Sequence, residues 1–311
     1  MGRKFLLVTT LRLTGRNEAP SYIVRCRGTR EGKLLAKKPF KYGLKTCIFC
    51  GKPANSSEHV WPKWAHKLLP QFPNHTQLTL DAPVTKSIMS RTSERKRQGS
   101  VAKVAIKRVC STCNNGWMSA YEENAKAILS AMMRGGHLAL GAESQQLLTE
   151  YFTFKLMVLD WTNADPIFTQ DERTAFYVNR AIPASLQLAM AYCRDASAHS
   201  YYRTHFIEAA MKTHLSTHTP GRNVKTIAVG FGGIFIFALC IRGEVDLSLK
   251  TIPGFVQLIP GKLATIRWPP FLVIGRTTLE RVASSLDALK HHKKVTLIDD
   301  PNDAEASQTN K

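Results

Sequence analysis

The stretch Cys47-Ile48-Phe49-Cys50 places two cysteines three positions apart, and Cys110-Ser111-Thr112-Cys113 repeats this spacing after an interval of 59 residues. Two residues between a pair of thiolates allow a tight turn to present both sulfurs to one tetrahedral ion. The pattern predicts a structural zinc site whose ligands are Cys47, Cys50, Cys110 and Cys113. The alternative is four unrelated buried cysteines. Gly51 and Pro53 after the first pair, and Asn-Asn-Gly after the second, favour zinc.

The other three cysteines are Cys26, Cys193 and Cys240, which gives an odd total of seven. An odd count, together with an N-terminus whose apolar run is too short for a signal sequence, argues against a disulfide framework. We therefore expect a cytoplasmic protein. The apolar segment 227–241 contains three glycines and favours paired buried strands over a membrane span, so no membrane partner is expected.

Positive charge is concentrated in the part of the chain that holds the cysteine pairs. The net charge is +20, and residues 1–118 carry 23 Lys and Arg against 5 Asp and Glu. Residues 119–311 carry 20 against 18. An excess of this kind predicts a polyanionic partner, and its location predicts a phosphate-binding surface around the cysteine motifs.

The segment between the two pairs offers residues suited to phosphodiester hydrolysis. Glu58 can supply an oxygen ligand to a divalent ion, and His59 can act as the base because its ordinary pKa lies near neutral pH. Asn114 or Asn115, just after the second pair, can supply a neutral ligand. Each feature also has a simpler interpretation: a Glu-His pair is usually a surface dipeptide, and asparagine is a common helix cap.

A resemblance to the HNH endonuclease family is carried by three segments: Cys-Ile-Phe-Cys at 47–50, Ser-Glu-His-Val-Trp-Pro-Lys-Trp at 57–64, and Val-Cys-Ser-Thr-Cys-Asn-Asn-Gly-Trp-Met at 109–118. The chain is most similar to a bacterial and phage group with EHVxPxW and CNNGWM motifs. The resemblance covers residues 47–122 and continues more loosely through 154–158 and 267–270.

This resemblance implies a ββα-metal, treble-clef-like core (a His-Me finger) stabilised by zinc. It implies that His59 is the general base and that Glu58 and Asn114 ligate a catalytic divalent ion. One position departs from the family pattern. The middle asparagine, which orients the base, normally precedes the second cysteine pair by a few residues, and Ala105 stands there.

The predicted function is therefore a metal-dependent endonuclease that hydrolyses DNA, with double-stranded DNA as the expected partner. Its context would be restriction, phage defence or a mobile element. The expected cofactors are structural Zn²⁺ and a catalytic Mg²⁺ or another divalent metal. Two alternatives remain open. One is a catalytically weak, zinc-stabilised nucleic-acid-binding protein, and the other is a nuclease subunit activated within a larger defence complex. A homo-oligomer is also open.

Six basic residues between the motifs are expected to contact nucleic acid. Four belong to a polar run that predicts a mobile loop tip, and two to the strand after it: Arg91, Arg95, Lys96 and Arg97, then Lys107 and Arg108. Glu122 lies two helical turns beyond Asn114 and can face the same side, although a solvated glutamate is the simpler interpretation.

The periodicity of apolar residues predicts an α+β protein with a division near residue 140. The expected parts are a basic HNH domain (1–140), a mixed α/β domain for recognition, oligomerisation or partner binding (141–298), and a disordered tail (299–311). Predicted helices are about 114–133, 145–161, 171–180 and 277–291. Predicted strands include 186–192, 224–229, 233–241 and 263–268.

Overall fold

The computed structural model describes residues 11–13, 22–25, 45–69, 74–80, 92–98, 104–161, 166–195, 201–211, 223–243, 247–249, 252–259, 261, 264–285 and 295–298. In residues 11–13, 22–25, 74–80, 92–98, 207–211, 247 and 295–298, only the backbone is described. The protein is of mixed α+β class.

Within its described residues, the first half of the chain contains six short strands and then a helical segment. The strands are β1 (Leu11–Leu13), β2 (Tyr22–Arg25), β3 (Ser56–His59), β4 (Asn74–Leu80), β5 (Thr92–Gln98) and β6 (Ala105–Val109), with a 3₁₀ helix at Lys63–Lys67. The helical segment comprises α1 (Ser111–Cys113), a π-helical turn (Asn114–Met118) and α2 (Ser119–Met133).

The second half begins with β7 (Leu138–Leu140), α3 (Ala142–Asp160) and α4 (Gln170–Asn179). The strands that follow are β8 (Leu186–Tyr192), β9 (Tyr202–Met211), β10 (Val224–Phe231), β11 (Ile234–Ile241), β12 (Leu247–Leu249), β13 (Phe255–Leu258) and β14 (Ile266–Trp268). The last elements are α5 (Arg276–Ala283) and β15 (Val295–Ile298).

A nine-stranded sheet forms the scaffold, in the order β13-β8-β11-β10-β9-β2-β15, with β4 also on β9 and β5 on β4. Its centre is the hairpin of β10 and β11, whose residues are almost all buried. Side chains alternate across a strand, so both faces of β11 need cover. Ile236 and Ala238 pack with α3 and with the segments that hold the four cysteines. Phe235 and Phe237 pack with α5 on the opposite face.

Strands β3 and β6 and the helical segment lie next to the cysteine motifs. β3 and β6 pair antiparallel, with Glu58 opposite Ile106 and His59 opposite Ala105. β6 ends at Val109, and the helical segment begins two residues later. Two strands therefore lead directly into a helix, with the second cysteine pair at the junction.

Two tryptophan hydrogen bonds join the segment after β3 and the helix α2 to other elements. The indole N–H of Trp61 donates to the carbonyl oxygen of Gly230 in β10 at 3.1 Å. The indole N–H of Trp268 donates to the carbonyl oxygen of Met132 in α2 at 3.2 Å. Both tryptophans are 1% exposed. The first bond holds the segment after β3 against the sheet, and the second holds α2 against β14.

Most predicted helices and strands are confirmed, and the segment 227–241 lies in the paired buried strands β10 and β11. One prediction is wrong. The basic run expected as a loop tip contains β5, with Arg95, Lys96 and Arg97 paired to β4. Arg91 and the tail 299–311 lie outside the described residues.

The division near residue 140 stays a prediction. Pairing of β4 with β9 and of β7 with β14 joins segments on either side of it. None of the helices among the described residues is long and apolar enough to span a membrane.

Candidate metal centre and active site

The four predicted zinc ligands come together. The sulfur atoms of Cys47, Cys50, Cys110 and Cys113 all lie within 4.8 Å of one another. The Sγ atoms of Cys50 and Cys110 are 3.5 Å apart. A tetrahedral ion with metal–sulfur bonds of about 2.3 Å requires sulfur atoms about 3.8 Å apart. All four thiols are free, so the donor set fits a structural zinc ion.

The first pair is shaped by a tight turn. The backbone N–H of Cys47 donates to the carbonyl oxygen of Lys52 at 2.6 Å, and that of Gly51 donates to Cys47 at 3.0 Å. Gly51 has a φ of +74°, a left-handed conformation that glycine adopts without steric cost. This turn directs both sulfurs of the pair to the same side.

The second pair is shaped by a helix start. Cys110 is the N-cap of α1, and its sulfur accepts a hydrogen bond from the backbone N–H of Cys113 at 3.4 Å. Asn55 completes the cap by accepting from the N–H of Ser111 at 2.7 Å. Burial opposes ionisation of the Cys110 thiol, but this hydrogen bond and the neighbouring thiols lower its pKa to about 7. A thiolate of this kind is ready to bind a metal.

Asn114 links the helix back to β3. Its amide nitrogen donates to the hydroxyl oxygen of Ser56 at 2.8 Å and to the carbonyl oxygen of Ser57 at 3.1 Å. Because a carbonyl can only accept, the nitrogen of the amide must face β3. The amide oxygen is thereby held in a fixed direction. Asn115, the neighbouring candidate, is exposed.

The carboxylate of Glu58 points into the protein and is only 4% exposed. It forms an ion pair with the ammonium of Lys155 in α3. The same ammonium lies 2.6 Å from the carboxylate of Glu122 in α2 and 2.8 Å from the carbonyl oxygen of His59. Burial raises the pKa of Glu58, and the charge of Lys155 opposes that shift.

The ring of His59 is half-buried in a positive environment. Burial lowers its pKa below the ordinary 6.5, and the charges of Lys63, His66 and Lys155 add to that shift. The His66 ring meets it edge-on, with 5.8 Å between ring centroids. A lowered pKa keeps the imidazole of His59 neutral near pH 7, which is the form that accepts a proton.

The residue opposite His59 in β6 is Ala105, the position where the family resemblance places an orienting asparagine. The alanine is exposed, and its methyl group cannot hydrogen-bond to an imidazole. Within the described residues, no hydrogen bond to the His59 ring is seen, in contrast to the backbone carbonyl, which Lys155 holds.

Of the predicted nucleic-acid contacts, Lys107 and Arg108 are described with their side chains. Lys107 is exposed on β6. Arg108 is half-buried, and its guanidinium stacks 4.8 Å from the centre of the Trp161 ring. The backbone of Arg95, Lys96 and Arg97 pairs with β4.

Two residues of this region were missed by sequence reasoning. Lys155 is 97 positions from Glu58, in a helix whose apolar periodicity indicated only core packing. A lysine in the middle of Phe154-Lys155-Leu156 was the available signal, because lysine is almost never fully buried without a partner. His66 belongs to none of the motifs, and it lies beside His59 because the 3₁₀ helix follows β3 closely.

The site fits the divalent ion that the resemblance implies only in part. Asn114 presents an amide oxygen of the right kind. Glu58 does not fit, because its carboxylate is buried and already held by an ammonium. Among the described residues, the four cysteines are the one group of three or more His, Cys, Asp or Glu side chains placed closely enough to hold a metal ion.

Comparisons with known proteins add no relative. No protein-family model matches the chain, and neither a curated protein nor a solved structure matches it.

Proposed function

We propose that the protein is a zinc-stabilised endonuclease of the HNH type that hydrolyses DNA phosphodiester bonds. The observation that carries the proposal is the arrangement of β3, β6 and the helical segment. Two paired strands enter a helix at a four-cysteine cluster, and Asn114 of that helix bonds back to the strand that ends in His59. This order agrees with the ββα core that the sequence resemblance implies.

His59 is the base in the proposed reaction. Its neutral imidazole takes a proton from a water molecule, and the resulting hydroxide attacks the phosphorus. The bond from phosphorus to the leaving oxygen then breaks, and that oxygen takes up a proton from solvent. The lowered pKa of His59 supports this role because the ring is available as a base at neutral pH.

The charge distribution supports a nucleic-acid substrate. Residues 1–118 carry a balance of +18, and exposed lysines within the described part of this segment include Lys45, Lys52, Lys63, Lys67 and Lys107. Lys63 follows the strand that carries His59. Phosphate contacts of this kind position a duplex without reading its sequence.

A catalytic divalent ion would supply positive charge at the scissile phosphate. Asn114 is the residue that supports such an ion, and Glu58 does not while Lys155 holds it. The requirement for a divalent ion stays a prediction.

The test is cleavage of supercoiled plasmid by zinc-loaded protein, with and without added Mg²⁺ or Mn²⁺. Loss of a general base costs about 10²–10⁴-fold in rate, so His59→Ala should reduce nicking by at least about 100-fold. His137→Ala, an exposed histidine of the loop after α2, is the matched control and should cut like the parent. Equal cleavage by parent and His59→Ala would remove the base assignment.

A nucleic-acid-binding protein without strong catalysis is the second candidate. The alanine opposite His59 favours it, because its methyl group cannot supply the orienting amide at that position. If the parent and His59→Ala both retard DNA in a gel and neither cuts with either metal, binding is the function. Cleavage that appears only with a co-purifying protein would instead indicate a subunit of a larger defence complex.

A further inference from the structure

Lys155, the buried lysine of α3, takes no part in the proton transfer proposed for His59. Lys155 is 5% exposed and lies between β3 and α2. Its ammonium donates to the carboxylate of Glu58, to the carboxylate of Glu122 at 2.6 Å, and to the carbonyl oxygen of His59 at 2.8 Å. An ammonium has three protons, and here each has an oxygen acceptor.

This arrangement is the coordination shell of a cation. Two carboxylates and one carbonyl converge on a positive centre, which is the donor set that a hard divalent ion would also take. The carboxylates come from different elements, β3 and α2, and a positive charge between them offsets the repulsion of their negative charges. In this protein the positive centre is the ammonium of Lys155, a side chain of α3.

The position of Lys155 also fixes the end of β3. The carbonyl group that it holds belongs to His59, so the backbone carrying the imidazole is tied to α3 as well as to β6. The indole N–H of Trp61, two residues on, is tied to β10. These contacts fix the backbone on both sides of His59, although Ala105 cannot supply an amide partner to its ring.

We propose that Lys155 is a positioning residue that serves as the resident cation of the Glu58–Glu122 site. Its ammonium takes the place that the family resemblance assigns to a metal ligated by Glu58, and it holds the strand end that carries His59. The inference rests on the proposed function only in naming His59 as the group that is positioned. Its consequence concerns metal binding: the two carboxylates bind a divalent ion only when Lys155 is removed.

The experiment is titration of zinc-loaded protein with Mn²⁺. Binding is measured by calorimetry and by the loss of the free Mn²⁺ signal in electron paramagnetic resonance. Four chains are compared: the parent, Glu122→Gln, Lys155→Met and the double variant Lys155→Met/Glu122→Gln. Lys225→Met is the matched control, because Lys225 is also buried but pairs with Asp160.

We expect Glu122→Gln to bind Mn²⁺ with the same affinity as the parent, within about twofold. Lys155→Met should bind one Mn²⁺ at least tenfold more tightly than the parent, and the double variant should lose that gain. Lys225→Met should show no such site.

Three results would overturn the inference. One is a Glu122→Gln chain that binds Mn²⁺ tenfold more weakly than the parent, and this comparison keeps the lysine and so does not depend on the folding of Lys155→Met. The others are a folded Lys155→Met with unchanged Mn²⁺ affinity, and an equal gain in Lys225→Met. Because no DNA is present, these outcomes are independent of whether plasmid cleavage supports the proposed function.

Discussion

Cys113 is buried at the start of the helical segment, and its thiol is one of the four that converge. Structural zinc sites contribute about 10 kcal/mol or more, which is comparable to the whole stability of a domain. Cys113→Ser should therefore lower the zinc content from one ion per chain to near zero and should unfold the lobe around it. Metal analysis by mass spectrometry and thermal unfolding would measure both effects. Cys193→Ala is the control, and equal zinc loss in that variant would contradict the four-cysteine site.

Asn114 offers a test of the link between helix and strand. Asn114→Ala removes two hydrogen bonds to Ser56 and Ser57, and leaves their oxygens without that donor. The free energy of unfolding should fall by about 1–3 kcal/mol. Asn115→Ala, one position on and exposed, should change it by less than about 0.5 kcal/mol. Urea unfolding of both variants decides the point, and equal losses would show that the amide of Asn114 does not hold β3.

Single residues differ in how far the sequence reveals them. The cysteines, Glu58, His59 and Asn114 belong to short motifs whose residue types and spacing are visible in the sequence. Lys155 belongs to no such motif. Its role depends on α3 being laid against β3 and α2, and long-range packing leaves no periodic mark in the sequence. The direction of the Glu58 side chain, into the protein, was hidden for the same reason.

Among the elements, α3 connects β3 and α2, which carry Glu58 and Glu122, to the central sheet. Its last residue, Asp160, is fully buried and accepts from Lys225 of β10 at 2.6 Å and from Arg173 of α4 at 3.4 Å. It also accepts from the backbone N–H of Phe168 at 3.1 Å. Three elements thus share one carboxylate, which fixes the C-terminal end of α3 as Lys155 fixes its middle.

Removing one partner from this cluster should be costly, because it leaves a charge buried with less compensation. Lys225→Met should lower the free energy of unfolding by about 3–5 kcal/mol. The double variant Lys225→Met/Asp160→Asn removes the opposing charge as well and should be less destabilised than the single variant. Chemical denaturation of the three chains checks the order. A double variant that is less stable than Lys225→Met would show that Asp160 acts mainly through its other contacts.

The elements themselves were predicted unevenly, for a physical reason. Elements rich in apolar residues, such as α3 and β11, are predictable from the sequence because most of their side chains are buried. β5 reads Thr-Ser-Glu-Arg-Lys-Arg-Gln and has no apolar residue to alternate. It pairs with β4 at the edge of the sheet, where charged residues discourage pairing with another chain. A polar edge strand of this kind is indistinguishable from a loop in sequence.

For the whole molecule, the sequence predicts the class of fold and contains the imbalance of charge. It does not predict that strands of the two halves pair in one sheet. Strands β2 and β4 from the basic half pair with β9 from the other half. Such pairings unite residues more than 100 positions apart, and hydrophobic pattern alone does not specify which strands become neighbours. The basic half is thus built onto the neutral half, which supplies the rigid sheet beneath it.

The charge imbalance makes a prediction about how the protein grips DNA. Each phosphate contact adds about 0.9 to the slope of log affinity against log salt concentration. Lys107→Gln removes an exposed charge of β6, next to the strand that carries His59, and should reduce that slope by about 1. Lys126→Gln makes the same change in net charge on α2, where Glu123 already compensates the lysine, and should leave the slope unchanged. Fluorescence anisotropy with a labelled duplex, in a His59→Ala background that keeps the DNA intact, measures both. If the two variants lose affinity equally at every salt concentration, attraction depends on total charge, and the surface around β6 is not where the duplex lies.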